Sequence, residues 1–438
     1  MRLRKLAVLV LFIGSNFMTC RMSAQKPFRM TIDELFKRVE QSNVEVKAAQ
    51  KDVNISRLHE KTAKAKRLPD IGLEAGVKYL GDATVLDRDF SNATRSPMPH
   101  LGNTLAVSLY QPLYAGGEIT AGINKTRNQT QIASTDLKIV TDDMKMEVLD
   151  CYLNLLKNRN LLSIYDENIN LTKQLISEMK VRAEQGLVLG NDVTRYELNL
   201  SNLTYDRSTV ANAVAHLNYN LLVYLGLDED TMIEPYLDAQ NMNLPDPGLT
   251  QWRLESETSP KLKRLDLAYS QAKINEKIAK SKMLPSIGLT AGNSLEGPIT
   301  ICMPVLDNNL NSWWFGVKLS MNLSAFYKEN HSLKAARVET AKAVDNRQAE
   351  REAIDRQVDQ MYKHYTEACE QVETQKKNVE LANENYRIVA QRYSADLSLL
   401  TDMLDASASK LDAEVRLVNA RVNVVYYYYQ LKYISGNF

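Results

Sequence analysis

The residue types that usually carry chemistry are few in this 438-residue chain, and they form no catalytic or metal-binding pattern. The four cysteines include no CxxC pair and the five histidines are scattered, which does not fit the spacing of zinc or iron–sulfur ligands. The sequence contains no P-loop, no GxGxxG and no GxSxG motif. We therefore expect no enzyme activity and no cofactor, and we interpret Cys151 and Cys369 as small core residues.

Two carboxylates deserve separate treatment because of their spacing. Asp402 and Asp405 are three residues apart in a predicted helix, so both side chains lie on one helix face. On the residues alone, a plain interpretation stays open, in which Asp402 caps the helix and Asp405 is solvated. The overall charge gives no reason to expect a nucleic-acid partner, since 54 basic residues balance 53 acidic ones.

Long segments without glycine or proline predict the elements that position these residues. One such segment runs for 63 residues from Ile123 to Gln185, and another runs for 119 residues from Val317 to Ser435. Strand-rich folds need turn residues more often than this. We predict helical rods over 118–185 and 325–395, each roughly 100 Å long at 1.5 Å per residue, packed as coiled coils.

An internal repeat organises the chain. Residues 64–76 and 280–292 are identical at nine of thirteen positions with an offset of 216, and further matches such as Leu187 with Leu397 follow at an offset of 210. We therefore predict a first helix–hairpin–helix repeat over 26–226 and a second over 260–438. Residues 227–259, which contain three prolines, are predicted to be the linker between them.

Each repeat also predicts a pair of strands. A helix ends at a Leu-Pro pair, and alternating apolar and small or polar residues follow over 71–79, 105–110, 287–292 and 313–324. The longest two of these runs, over 71–79 and 313–324, have about the ten residues of a tilted transmembrane strand. This phase predicts that Val107 and Val317 face lipid, whereas Lys318 faces the other side.

The amino terminus predicts export. Arg2, Arg4 and Lys5 precede the apolar run Leu6–Ile13, which is typical of a secretory signal peptide over residues 1–25. We favour cleavage near Ala24 or Gln25. The alternative is cleavage before Cys20 with attachment of lipid.

The rods are predicted to reverse at two turns, over 184–192 and 395–402. Asn191 or Asp192 could cap the first returning helix, and Thr401 or Asp402 could cap the second. Together with the Leu-Pro-strand motifs and the segment Gln111-Pro-Leu-Tyr-Ala-Gly-Gly117, these turns closely resemble those of the TolC-type outer-membrane efflux proteins.

The resemblance implies a fold that is mainly α with a transmembrane β part. Family members are homotrimers in which each chain gives four strands to a shared twelve-stranded barrel, and long periplasmic coiled-coil helices form a tunnel. Strand counting agrees, because four strands cannot close a membrane barrel and unclosed edges would leave backbone groups unpaired in lipid. The implied location is the outer membrane, in contact with its lipid.

The resemblance also implies a function and its sites. The chain would be the exit duct of a tripartite efflux or type I secretion system, which works with a periplasmic adaptor and an inner-membrane pump. Asp402 and Asp405 match the positions that line the narrow periplasmic entrance in the family. The residues matching the adaptor-docking turns are Gly186, Leu187, Leu189, Leu397, Ser398 and Leu399.

Two departures and one rival interpretation remain. Residues 322–327 stand where a Gly-Gly turn is expected, and Ser398 stands where the family has Lys or Arg. The rival is a soluble periplasmic coiled-coil scaffold or adhesin stalk. The apolar strand residues Trp313, Phe315 and Val317 argue against it, since a soluble stalk has no use for an outward apolar sheet face.

Overall fold

A computed structural model describes residues 26–237, 244–302, 305–395 and 397–438. The predicted signal peptide over 1–25, with Cys20, lies outside the described residues. The strands are β1 (Lys26–Met30), β2 (Asp70–Tyr79), β3 (Ala83–Val85), β4 (Thr94–Ser96), β5 (Leu101–Ala115), β6 (Thr231–Pro235), β7 (Ser286–Gly297) and β8 (Leu310–Ser320). The helices are α1 (Ile32–Ser42), α2 (Val44–Ala65), α3 (Glu118–Glu184), α4 (Gly190–Leu225), α5 (Leu249–Ser256), α6 (Pro260–Ser281), α7 (Ala325–Lys328), α8 (Asn330–Ser394) and α9 (Leu400–Ser435).

The two predicted rods are present as α3, with 67 residues, and α8, with 65 residues. The shorter helices pack beside them: α2 and α4 lie against α3, α6 lies between α3 and α8, and α9 also contacts both rods. The result is a layer of helices in which the repeats stand side by side. None of the described helices is both long enough and apolar enough to cross a membrane.

The chain enters the two rods through different turns. Before α3, Gly116 and Gly117 adopt φ of +59° and +84°, and a Cβ on Gly116 would come within 2.6 Å of the Ser281 carbonyl oxygen. Before α8, the Asn322 side chain accepts hydrogen bonds from the backbone and hydroxyl of Ser324, at 3.1 and 2.7 Å. This Asx turn begins the short helix α7, so it replaces the expected glycine pair.

The four long strands form one antiparallel sheet in the order β2-β5-β7-β8. Cross-strand partners share a face, and the register pairs Leu73 with Val107 and Leu289 with Val317. One row of this face is apolar across all four strands, formed by Ile71, Leu109, Ala291 and Phe315. The face is also exposed, since Val107 and Val317 retain 45 % and 67 % of their accessible surface.

One strand prediction was too long. The alternation predicted a strand to Ser324, but β8 ends at Ser320. Leu323 continues the apolar period and stays exposed, yet it lies in the Asx turn. The turn decides the boundary because the Asn322 side chain satisfies backbone groups locally.

The main core lies where the two repeats are joined. Tyr152 of α3 is fully buried, and its hydroxyl donates to the Met30 carbonyl at 2.7 Å and accepts from the Tyr236 amide at 2.8 Å. These bonds attach a small parallel sheet of β1 and β6 to the rod. Trp252 of α5, within the predicted linker, is 3 % exposed and packs edge-on against Tyr428 at 5.9 Å.

Candidate pore entrance and helical tips

The two turns at the far end of the rods contain the same backbone hydrogen bond. In the first, the Leu187 amide donates to the Arg182 carbonyl at 2.9 Å and Gly186 adopts φ of +74°. In the second, the Leu397 amide donates to the Arg392 carbonyl at 2.8 Å. Both bonds span the last turn of a helix, which is how a helix C-terminus satisfies its free carbonyl groups. The repeat thus produces two equivalent tips.

Each tip exposes two leucines. Leu187 and Leu189 retain 63 % and 72 % of their surface, and Leu397 and Leu399 retain 68 % and 70 %. Between the leucines of the second tip, Ser398 is half-buried. Large apolar side chains exposed at this level on short turns are typical of a contact surface for another protein.

The tips pack on a small apolar core of their own, separate from the main core. This tip core consists of Ile176, Met179, Val193, Tyr196, Tyr393, Leu400 and Met403. The Arg182 guanidinium lies 5.8 Å from the centre of the Tyr393 ring and donates to the Tyr393 carbonyl at 3.5 Å, which ties α3 to α8. Arg392, the equivalent residue of the second repeat, instead donates to the Leu397 carbonyl of its own turn at 3.2 Å.

The predicted caps of the returning helices were wrong by two or three residues. Helix α4 begins at Gly190 and α9 at Leu400, and the residues before them, Leu189 and Leu399, are extended. Asp402 is therefore the third residue of α9, where its carboxylate accepts from the Leu399 amide at 3.1 Å. It still satisfies a free amide at the helix N-terminus, but by reaching back toward the turn.

Asp402 and Asp405 lie on the same exposed face of α9, as their spacing predicted. The Asp402 carboxylate also accepts a hydrogen bond from the Ser398 hydroxyl at 2.9 Å. Ser398, which stands where Lys or Arg was expected, therefore holds this carboxylate in place. Met403 and Ala406, which lie about 100° further around α9, are buried. The two carboxylates therefore point away from the packed side of the tip and toward solvent.

A buried lysine near the tips was not predicted. Lys410 is 8 % exposed, and its Nζ lies 3.5 Å from Glu167 of α3 and 3.7 Å from Glu414 of α9. The ammonium also lies 5.3 Å from the ring centre of Tyr386 on α8. Burial raises the pKa of Glu414, against the lowering effect of Lys410. Lys410 thus connects three helices about 12 Å along α9 from Asp402.

The described residues contain no group of three or more His, Cys, Asp or Glu side chains placed to hold a metal ion. Cys151 is buried and its Sγ lies 3.5 Å from the Leu217 carbonyl, in keeping with a packing role. Burial also raises the pKa of this thiol to about 11, so it is protonated near neutral pH.

The architecture has close counterparts among known proteins. The family model for outer membrane efflux proteins matches residues 254–437. The outer membrane protein TolC of Salmonella enteritidis is 22 % identical over 426 residues, which cover 92 % of this chain and 81 % of that protein. The chain is therefore similar to the TolC-type outer-membrane efflux proteins over most of its length. The predicted location, the outer membrane, is the one that the descriptions of these relatives give.

Solved structures of such channels share the fold over nearly their whole length. The outer membrane protein VceC of Vibrio cholerae superposes with a TM-score of 0.77 at 15 % identity, covering 92 % of this chain and 96 % of that one. The CmeC outer membrane channel of Campylobacter jejuni gives 0.77 at 12 % identity, with 92 % and 85 % covered. The predicted TolC-like fold is therefore confirmed.

Proposed function

We propose that the chain is the exit duct of a tripartite efflux or type I secretion system, assembled as a homotrimer in the outer membrane. The observation that supports this most directly is the sheet. It has an exposed apolar face, and among the described residues its edge strands β2 and β8 each have one paired side only. Such edges must be paired in lipid, and three copies would supply twelve strands for one closed barrel.

Membrane assembly tests the duct against a soluble scaffold. We expect the chain to fractionate with outer membranes, to need detergent for extraction and to migrate as a trimer that heating converts to monomer. In planar bilayers the trimer should form channels. Extraction of a monomer by salt alone, without detergent, would support the scaffold and remove the basis for the duct.

The exposed leucines support docking of a periplasmic adaptor at the tips. Leu187→Asp combined with Leu397→Asp should leave trimer assembly intact and abolish efflux in cells that carry the matching pump, because two apolar contacts per protomer become charged. Leu254→Asp is a matched control, since this leucine is 65 % exposed on α5, away from the tips. Normal efflux in the double variant would exclude the tips from the contact.

The acidic face of α9 supports a narrow entrance lined by Asp402 and Asp405. In a trimer these residues would form two rings of three carboxylates, favouring bound cations and a cation-selective pore. We expect weak resting conductance and further closure when multivalent cations are added on the periplasmic side. Asp402→Ala with Asp405→Ala should remove that block and reduce cation preference.

Asp192 provides a matched control for the entrance. It is equivalent to Asp402 in the first repeat, but the residue equivalent to Asp405 is Arg195, so Asp192→Ala should have the smaller effect. The measurement is single-channel current with the cation added to one side at a time. Undiminished block in the double alanine variant would show that other residues line the entrance.

A further inference from the structure

Polar side chains join the two repeats at one level between the main core and the tips. Lys410 of α9 is buried, and its Nζ lies 3.5 Å from a carboxylate oxygen of Glu167 on α3. Among the described residues, this is the one ion pair between α3 and α9. Asn168, also buried, supports it, because its side-chain amide donates to Glu414 of α9 at 3.5 Å. A single polar cluster therefore holds the second repeat on the first at this level.

The first repeat holds its own returning helix without such a cluster. Helix α4 has Leu200 and Thr204 at the positions of Lys410 and Glu414 in α9. Leu200 packs against the apolar tip core, and the Thr204 hydroxyl donates to the Leu200 carbonyl of its own helix at 2.7 Å. A leucine needs no charged partner to be buried, whereas the ammonium of Lys410 does. The ion pair therefore belongs to α9 alone of the two returning helices.

Two adjacent acids of α3 pair with different helices. Asp166 accepts from the guanidinium of Arg207 on α4 at 2.5 Å, which is an ion pair within the first repeat. Glu167 instead faces Lys410 on α9, in the second repeat. The side chains of Asp166 and Glu167 are 48 % and 65 % exposed, so each can be removed without opening a cavity. Only the second pair connects the repeats.

We propose that Lys410 is a positioning residue of the entrance, whose ion pair with Glu167 keeps the acidic face of α9 close to α3. The inference rests on the proposed duct and on its entrance at Asp402 and Asp405. About 12 Å and 8 Å of one continuous helix separate Lys410 from these two residues, so a displacement at Lys410 reaches the entrance. Like charges in the two carboxylate rings repel and favour a wider entrance, and the ion pair opposes that movement.

The open probability of reconstituted trimers in planar bilayers tests the proposal. Glu167→Ala removes only the exposed member of the pair. At a low resting open probability, we expect it to raise that probability about two- to fivefold, which is the shift that a partly exposed ion pair supplies. Asp166→Ala is the matched control, because it removes an ion pair of similar exposure within the first repeat and should leave the open probability unchanged.

A coupled substitution separates positioning from stability. Lys410→Leu with Glu414→Gln removes the pair without leaving a buried charge, and it should raise the open probability at least as much as Glu167→Ala does. Adding Glu167→Ala to that variant should have no further effect, because its partner is already absent. Hydrogen–deuterium exchange of α9 should stay close to that of the parent in Glu167→Ala, so its raised open probability reports a change of position and not unfolding.

The outcomes separate this inference from the proposed function. Equal open probability in the parent and in Glu167→Ala would overturn the inference while leaving the duct intact. An equal rise in Glu167→Ala and Asp166→Ala would also overturn it, since loss of any acid from this part of α3 would then suffice. Failure of the parent to form channels would instead overturn the proposed function, and the positioning role with it.

Discussion

Lys410→Ala should lower the local stability of the N-terminal part of α9 more than substitution of any lysine on the surface. The change removes an ammonium that lies between Glu167 and Glu414 and over the Tyr386 ring. The Glu167 side chain is 65 % exposed and can return to water, but the Glu414 side chain is only 17 % exposed. Removing one partner of a fully buried pair costs about 3–5 kcal/mol.

Because only one of the two carboxylates is left buried without its cation, we expect the lower end of that range or slightly less. A loss of about 2–3 kcal/mol in local stability corresponds to roughly 30- to 150-fold faster amide exchange wherever opening of α9 controls exchange. Hydrogen–deuterium exchange of the detergent-solubilised trimer measures this directly. The acceleration should centre on residues near 410 and be small near the Tyr428 end of α9.

Two comparisons make the test of Lys410 sharp. Lys410→Leu with Glu414→Gln removes both buried charges and restores the residue type of Leu200, the equivalent position in the first repeat, so most of the protection should return. Lowering the pH should also reduce the defect of Lys410→Ala, because protonation neutralises a Glu414 whose pKa is already raised by burial. Unchanged exchange in Lys410→Ala, or no recovery in the double variant, would refute the buried-ion argument.

Three further predictions concern the sheet and the core. Val317→Arg should cost about 2–4 kcal/mol per chain and reduce the trimer in outer membranes, whereas Lys318→Ser should be tolerated; the reverse order would place the strand one residue out of phase. Burial raises the pKa of Asp142 to about 6, and its Oδ2 has no hydrogen-bond partner, so the folded state binds this proton more tightly than the unfolded state does. The resulting stability is present below about pH 4 and lost as pH rises through 6, so Asp142→Asn should raise the melting temperature at pH 7.5 and give little gain at pH 4. Tyr152→Phe should cost about 0.5–1.5 kcal/mol, measured as a lower thermal midpoint, because the bonds of the hydroxyl are lost while the Tyr236 amide keeps its own bond to the Met30 carbonyl at 3.2 Å.

Local signals predicted the rods and the sheet from sequence. Glycine and proline are absent from the rods, and the period-two alternation is unbroken over most of each strand, so short-range preferences alone specify these elements. Where local rules compete, the prediction fails by a few residues. The end of β8 is one case, since the apolar period continues to Leu323 while the Asn322 side chain already forms a turn.

The joint between the repeats could not be predicted in the same way. Strands β1 and β6 are five residues each and pair in parallel across about two hundred residues of chain, so neither has a long enough pattern to identify it. By its spacing, Tyr152 is one apolar residue of a helical stripe. Its hydroxyl has a role only because the fold brings the Met30 and Tyr236 backbones to it.

The two copies of the repeat differ in residue type at key positions of the candidate site. Both copies fold into the same tip, yet α9 carries Asp405 and Lys410 where α4 carries Arg195 and Leu200. The first exchange gives the second returning helix an acidic exposed face, and the second places an ammonium in a position that apolar packing satisfies in the first copy. The sequence predicts an exposed side chain for Lys410, because lysine in a helix with other charged residues is usually solvated. It is buried only because α3 and α8 contribute Glu167 and Tyr386 as neighbours. These two charged differences between the copies thus lie on one helix, next to the tip. Both returning helices pack on the apolar tip core. Only α9 also carries an acidic exposed face and a buried ammonium, so we expect the position of α9, and not that of α4, to depend on charge.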